Sequence, residues 1–367
     1  MEMTTPLPMY VFTSQIPTLD IVQAGTDPLQ VALWAGSTKL LETTLYPVAG
    51  CISLHDIGNL YERFLCDRDS GDAAPYTVFE LEVENYVWED NMVIYCPYDC
   101  NLPAEEFIQG HFLTSLAVKR IPADASRDDE VLAYLLTSAE TETARTIVVT
   151  ADFRTPDGGI VSHACSFTAD SQELYGSIVA CPEEVTSLFG HYCQEATEYD
   201  WHDLVPLSYT IRMGQRSLTY YVDRDFMPSV CFRFRNAFNV EETMYLEGVT
   251  VTRTETERSM ATSHGTNLFY DQVDSQEYAV TTAPLSSEEA NWATQLLLSH
   301  KVLRVEEDGS LTEVLITDMN AEVTDSDEEY RRLKFTYRLA TQGASLKVPK
   351  ATIGNSRFTN QFTIQFA

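Results

Sequence analysis

Between Ile147 and Phe167 the chain switches side-chain character at almost every residue. Ile147, Val149, Ala151 and Phe153 point one way from an extended backbone, while Thr150, Asp152 and Arg154 point the other. A period of two belongs to a strand with one buried face, and a helix would scatter these positions around its axis. Thr155-Pro156-Asp157-Gly158-Gly159 then supplies turn chemistry, and Val161, His163, Cys165 and Phe167 alternate on the return. This predicts a hairpin. A second is predicted between Leu207, Tyr209, Ile211, Met213 and Leu218, Tyr220, Val222, turning at Gly214-Gln215, where glycine accepts the positive φ of a tight turn. Others are expected at Asp308-Gly309 and Gly36-Ser37. Phe79, Leu81 and Val83 alternate with Glu80, Glu82 and Glu84; Leu333, Phe335, Tyr337 and Leu339 alternate with basic and hydroxyl residues; Thr250, Thr252, Thr254 and Thr256 form a β-branched ladder opposite Val249 and Val251.

Helical spacing is rarer. Ile57, Leu60, Tyr61, Phe64 and Leu65 follow the i, i+3, i+4 pattern behind Asp56. Ser286-Ser287-Glu288-Glu289 reads as a capping box leading to Trp292 and Leu296, and Pro182-Glu183-Glu184 can open a third helix. The expected fold is mainly β, a multi-domain sandwich or barrel-like assembly with a few short packing helices. The polar stretches at Asp67–Ala74 and His191–Asp203 suggest seams. The expected division is 1–70, a hairpin plus helix; 71–200, an inserted or appended β domain; 204–340, a β-rich domain; and 341–367, a linker followed by a strand.

With 44% apolar and 22% charged residues, a chain of 367 residues can bury more than one core. Fifty-five acids against 24 bases give a formal charge of −31. Such a surface repels phosphate backbones, so no nucleic-acid partner is expected. No segment has the ~20 apolar residues of a membrane-spanning helix, and Met1-Glu2-Met3-Thr4-Thr5-Pro6 lacks the basic and apolar regions of a secretory signal. The eight scattered cysteines (Cys51, Cys66, Cys96, Cys100, Cys165, Cys181, Cys193, Cys231) are read as reduced thiols of a protein made in cytosol.

Several constellations hold atoms suited to chemistry. Cys96-x-x-x-Cys100, His163-x-Cys165, Cys181 and His191-x-Cys193 are zinc-type ligands, but only the first pair has knuckle spacing. Asp325-Ser326-Asp327-Glu328-Glu329 has calcium-loop spacing, with Tyr330 where a glycine is required. Asp223-Arg224-Asp225 matches the D-x-D of nucleotide-sugar enzymes without their α/β surroundings. Trp88, Tyr95, Tyr98, Trp201, Tyr220 and Tyr221 could stack sugars, although alternating strands explain them as packing residues. Nucleophile-elbow, P-loop, zincin and dinucleotide motifs are missing from the sequence. Accordingly no catalytic, cofactor-binding or metal residue is assigned, no cofactor is expected, and the chain is not expected to be an enzyme.

The order of features from Ser286 to Ala340 carries a resemblance. A capped helix with Trp292 leads into Ser299-His300-Lys301-Val302-Leu303, the Asp308-Gly309 turn, Val314-Leu315-Ile316-Thr317-Asp318 and Leu333-Lys334-Phe335-Thr336-Tyr337-Arg338. Gly50-Cys51-Ile52-Ser53-Leu54-His55-Asp56-Ile57 and its helix are in the same style. This succession resembles the tail-tip (distal-tail or baseplate) structural proteins of tailed bacteriophages and prophages, especially those of Bacteroidetes hosts. The resemblance implies ring-forming β-sandwich protomers contacting copies of themselves and other tail proteins, in a virion assembled in the host cytoplasm; it implies no catalytic residue. A β-sandwich adhesin or carbohydrate-binding module is the rival class, and an enzyme without a recognisable motif the second. Beyond Thr341, Phe358, Phe362, Ile364 and Phe366 share one face of an expected strand that could pair with a neighbouring subunit.

Overall fold

The computed structural model describes residues 2–3, 6–23, 25–66, 74–140, 145–169, 173–193, 199–263, 266–322 and 331–341. The chain is mainly β, with 51% strand and 16% helix and several sheets, none of which closes into a barrel among the described residues. The strand expected over Phe358–Phe366 lies outside the described residues, as does Asp325–Tyr330.

The first sheet orders β2 (Tyr10–Phe12), β8 (Tyr86–Ile94), β7 (Tyr76–Val83), β4 (Leu29–Ala35) and β5 (Thr38–Leu45). Gly36 turns β4 into β5 at φ +56°. A small sheet of β1 (Glu2–Met3), β3 (Leu19–Val22) and β6 (Cys51–Leu54), with helix α1 (Ile57–Cys66), adds to this layer. Leu19, Ile21, Ile52 and Ile57 bury against Val31, Leu33, Phe79 and Leu81. Each such side chain removed from water contributes about 1.5–3 kcal/mol before ordering costs. Gly58 explains its place in a helix, because a Cβ there would stand 2.2 Å from the Thr13 carbonyl oxygen.

The second sheet orders β12 (Ile160–Thr168), β11 (Thr146–Arg154), β14 (Val205–Met213), β15 (Arg216–Asp223) and β9 (Val118–Pro122). Both expected hairpins are present, β11 with β12 and β14 with β15, the latter turning at Gly214 with φ +61°. Helix α3 (Pro182–Tyr192) contributes Phe189, edge-on to Phe153 at 5.0 Å. Helix α2 (Ala104–Gly110) follows the first sheet in sequence, and a two-stranded ribbon, β10 (Val131–Leu135) with β13 (Tyr175–Val179), is interleaved with the strands of the second; both pack in the core that holds Phe12.

The third sheet has seven strands: β17 (Glu241–Leu246), β16 (Val230–Arg235), β20 (Val302–Val305), β21 (Leu311–Glu322), β22 (Arg332–Leu339), β19 (Thr266–Thr282) and β18 (Gly248–Ser263). Its two edge strands, β17 and β18, are separated in the chain by Glu247 alone. The sheet must therefore coil until its edges meet at that corner. Helix α4 (Ser287–Leu298) starts with the expected capping box between Ser286 and Glu289 and buries Trp292 and Leu296 beside Phe234.

The expected boundaries near 70 and 200 are corrected by the strand pairing. Val31–Ala35 pairs with Phe79–Val83, and Ile147–Arg154 pairs with Val205–Met213, so both cuts would divide sheets. Hydrogen-bonded ladders cannot be severed without orphaning backbone groups, which is why polar linker composition alone misplaces a seam. One core runs through the second and third sheets from Phe153 to Tyr337. Another, with Phe12, Phe107, Leu135 and Phe238, fastens the first sheet to the rest.

Candidate functional site

The zinc-type residues are dispersed by the fold. Cys96 is buried and its Sγ donates to the Tyr98 carbonyl at 3.5 Å; burial pushes its thiol up to about 12, far from the thiolate a metal requires. His163 and Cys165 share the inner face of β12, as their spacing suggested. There His163 meets the Trp201 ring edge-on at 5.0 Å, and burial, helped by the neighbouring Cys193, pushes Cys165 up to about 12. The Cys193 thiol donates to the Ala164 carbonyl, and Cys181 caps α3 by accepting from the Glu184 N–H at 3.5 Å. Among the described residues, no three His, Cys, Asp or Glu side chains converge on a point suited to a metal ion.

The remaining candidates also resolve into packing. Asp223 accepts from the Asp225 N–H at 3.0 Å, a loop-closing bond at the end of β15. Tyr220 is buried and stacks on Tyr209 at 5.0 Å, whereas Tyr221 faces solvent on the opposite side of the same strand. Trp201 packs on Phe153 and Phe189, and Trp88 stacks with Tyr86 at 6.3 Å. These aromatics do not share one surface.

What sequence reading did not single out is a set of buried ion pairs. Lys119 on β9 donates to both Glu130 carboxylate oxygens at 2.8 and 3.0 Å, with the two residues 8% and 1% exposed. Burial holds the Glu130 carboxyl above the usual carboxylate range, against the pull of Lys119. The ammonium also sits 5.5 Å from the Trp292 ring, whose N–H donates to Glu242 at 2.6 Å. Beside them Arg233 bonds Asp129 at 3.0 Å. Farther away, the wholly buried Arg216 grips Glu140 with two nitrogens and donates to the Leu135 carbonyl at 2.8 Å. The two arginine pairs join segments 104 and 76 residues apart, and Lys119 meets Glu130 across eleven residues without the spacing of a helix or strand ladder, so no local pattern matched them.

The second feature beyond the sequence reading is an arm. Strands β18 and β19 pair without interruption from Gly248↔Thr282 to Ser263↔Thr266, apart from one register shift at Ser259/Met260. Strand β22 covers only Glu277–Thr281 of β19. From Thr254 outward, neither outer edge of this ribbon has a paired strand among the described residues. The ten residues Thr254–Ser263, at ~3.3 Å each, carry it about 33 Å beyond the sheet. At its base Gly248 stands at φ +149°, and a Cβ there would lie 2.1 Å from the Thr281 carbonyl oxygen.

The third feature is a groove of about 910 Å³ between α2, the 111–117 segment, the β14–β15 turn, the loop at Ala237-Phe238 and α4. Phe107, Phe112 and Phe238 give it an aromatic wall, and Leu298, 53% exposed, stands at its rim.

No protein-family model and no curated protein matches the sequence. Two solved structures are similar over part of it. A protein of the virion of the native gene transfer agent particle matches with a TM-score of 0.21 and 13% identity, over 27% of this chain and 85% of that one. A protein from the tail of the empty gene transfer agent particle, a tail of C6 symmetry, matches with a TM-score of 0.23 and 12% identity, over 30% of this chain and 91% of its own.

Proposed function

We propose that this chain is a non-catalytic structural subunit of the tail of a phage-like particle, which joins copies of itself into a ring and contacts neighbouring tail proteins. It would be assembled in the host cytoplasm and reside in the virion. The observation that carries this reading is the β18–β19 arm. A ribbon with two open edges presents rows of N–H and C=O groups that pair readily with another chain. Val249 at its root is 61% exposed, and Val251 and Met260 also face solvent. Such an arm suits a subunit whose neighbours complete its sheets. The succession of elements from Ser286 to Ala340 supports the tail-tip reading, and Cys96, Cys165, Cys181, Cys193, Asp223, Trp201 and Tyr220 are engaged in packing or in local hydrogen bonds.

Native mass spectrometry and electron microscopy of the purified chain test the reading. Closed rings are expected, and shortening the arm by replacing residues 253–276 with a two-residue turn should leave a folded protein of lower oligomeric order. A full chain that remains monomeric at all accessible concentrations, or a shortened one that assembles as before, would overturn it.

A further inference from the structure

The groove beside α4 is apolar, yet the chain also holds a segment suited to fill it. Residues 342–367 include Lys347, Lys350 and Arg357 and not a single Asp or Glu, in a chain whose net charge is −31. Phe358, Phe362, Ile364 and Phe366 follow the three cations. We propose that the groove is the receptor for this segment, its Phe and Ile side chains entering the aromatic floor while its cations face the acidic body.

Three observations support this occupant. The first is charge: the groove lining contains Asp99 and Glu288 and neither Lys nor Arg, and Glu105 and Glu106 open the adjoining helix α2. A basic segment is attracted there, whereas any average stretch of this acidic chain is repelled. The second is chemistry. The floor of Phe107, Phe112 and Phe238 is bordered by Asn101, Gln215 and Asn291, amides able to hydrogen-bond an extended backbone or the Thr and Gln residues that alternate with the apolar ones. The third is reach. Phe234, Val302, Val314 and Leu339 lie in one row across four adjacent strands. The chain thus leaves β22 about 14 Å, three strand spacings, from the strand that leads into the Ala237-Phe238 wall. Residues 342–357 can span up to about 50 Å when extended. That suffices for the groove of the same chain or of an adjacent copy. The inference does not depend on ring formation.

The test uses the full chain carrying Phe362→p-benzoylphenylalanine. On irradiation, cross-links should map by mass spectrometry to 107–117, 215–217, 237–238 or 288–298. Mixing isotopically light and heavy chains reports whether donor and groove belong to one chain or two, and either result fills the groove. Leu298→Lys, a rim change that places a cation against apolar rings and a basic partner, should lower cross-link yield by roughly tenfold. The exposed control Tyr86→p-benzoylphenylalanine should give none of these products. Cross-links that fall elsewhere, or a yield unchanged by Leu298→Lys in a normally folded chain, would overturn the proposal, whatever the oligomeric mass.

Discussion

The Lys119–Glu130 pair makes a quantitative demand on the protein. Glu130→Ala leaves an ammonium beside Trp292 and Tyr245 at the core of the second and third sheets, and breaking a buried pair from one side costs about 3–5 kcal/mol. Lys119→Met strands the carboxylate instead, with a difference: the carboxylate can escape by taking a proton. Burial already holds Glu130 above the usual carboxylate range, and losing Lys119 raises it further. A carboxyl whose folded value exceeds its unfolded one favours the folded state at low pH. That advantage is lost at about 1.4 kcal/mol per pH unit as pH rises from the ordinary carboxylate range to the raised value. The Lys119→Met penalty should accordingly be small near pH 4.5 and grow toward pH 8, while that of Glu130→Ala should not follow this course. The double variant Lys119→Met, Glu130→Leu should recover most of the loss at every pH, since a packed apolar pair of similar volume replaces both charges. Urea unfolding followed by tryptophan fluorescence is the assay, because the Lys119 ammonium lies 5.5 Å from the Trp292 ring. At pH 8, single-variant losses below about 1 kcal/mol, or a double variant whose loss equals the sum of the singles, would refute the account.

Three further outcomes are expected. Arg216→Met should cost about 3–5 kcal/mol by calorimetry or urea unfolding, because Glu140 loses its cation, keeping only Thr137 as donor, while the Leu135 carbonyl loses the guanidinium as well. Gly248→Ala should destabilise the root of the arm by at least ~1–3 kcal/mol, measured as faster amide exchange in 249–251 and 279–282 than in β11. In thiol titration all eight cysteines should react once the chain is denatured, while in the native protein at pH 8 Cys96, Cys165 and Cys231, each pushed up to about 12 by burial, react last.

The features legible in the sequence were those written in short range. The alternation of Ile147–Phe153 and Val161–Phe167 places each residue on the face the structure gives it, and Ser286 with Glu289 specifies the start of α4, because caps and turns depend on neighbours three or four residues away. Helix α2 escaped reading although Pro103-Ala104-Glu105-Glu106 has the same opening chemistry as Pro182-Glu183-Glu184. The Thr ladder from Thr250 was visible, but not that it continues to Ser263 as an arm, since the length of a ribbon is set by its partner, Thr266–Thr282. The groove and the ion pairs were illegible for a deeper reason. Lys119 meets Glu130 across a turn, Arg216 meets Glu140 across 76 residues, and the groove is walled by segments from 98 to 298. Such matches are chosen by tertiary packing, and no periodic pattern within a window of sequence specifies them.

The arm also sets where the molecule yields to force. Its own strands pair at sixteen positions, while its attachment to the body is the five-position overlap of β19 with β22, the single residue Glu247 leading back to β17 and the short link from Thr282 into α4. A pull along the arm therefore concentrates on Glu277–Thr281 and the Gly248 corner. The ribbon itself would stay zipped while its root gave way, so a neighbour gripping the tip could swing the whole arm as a lever before either strand came apart.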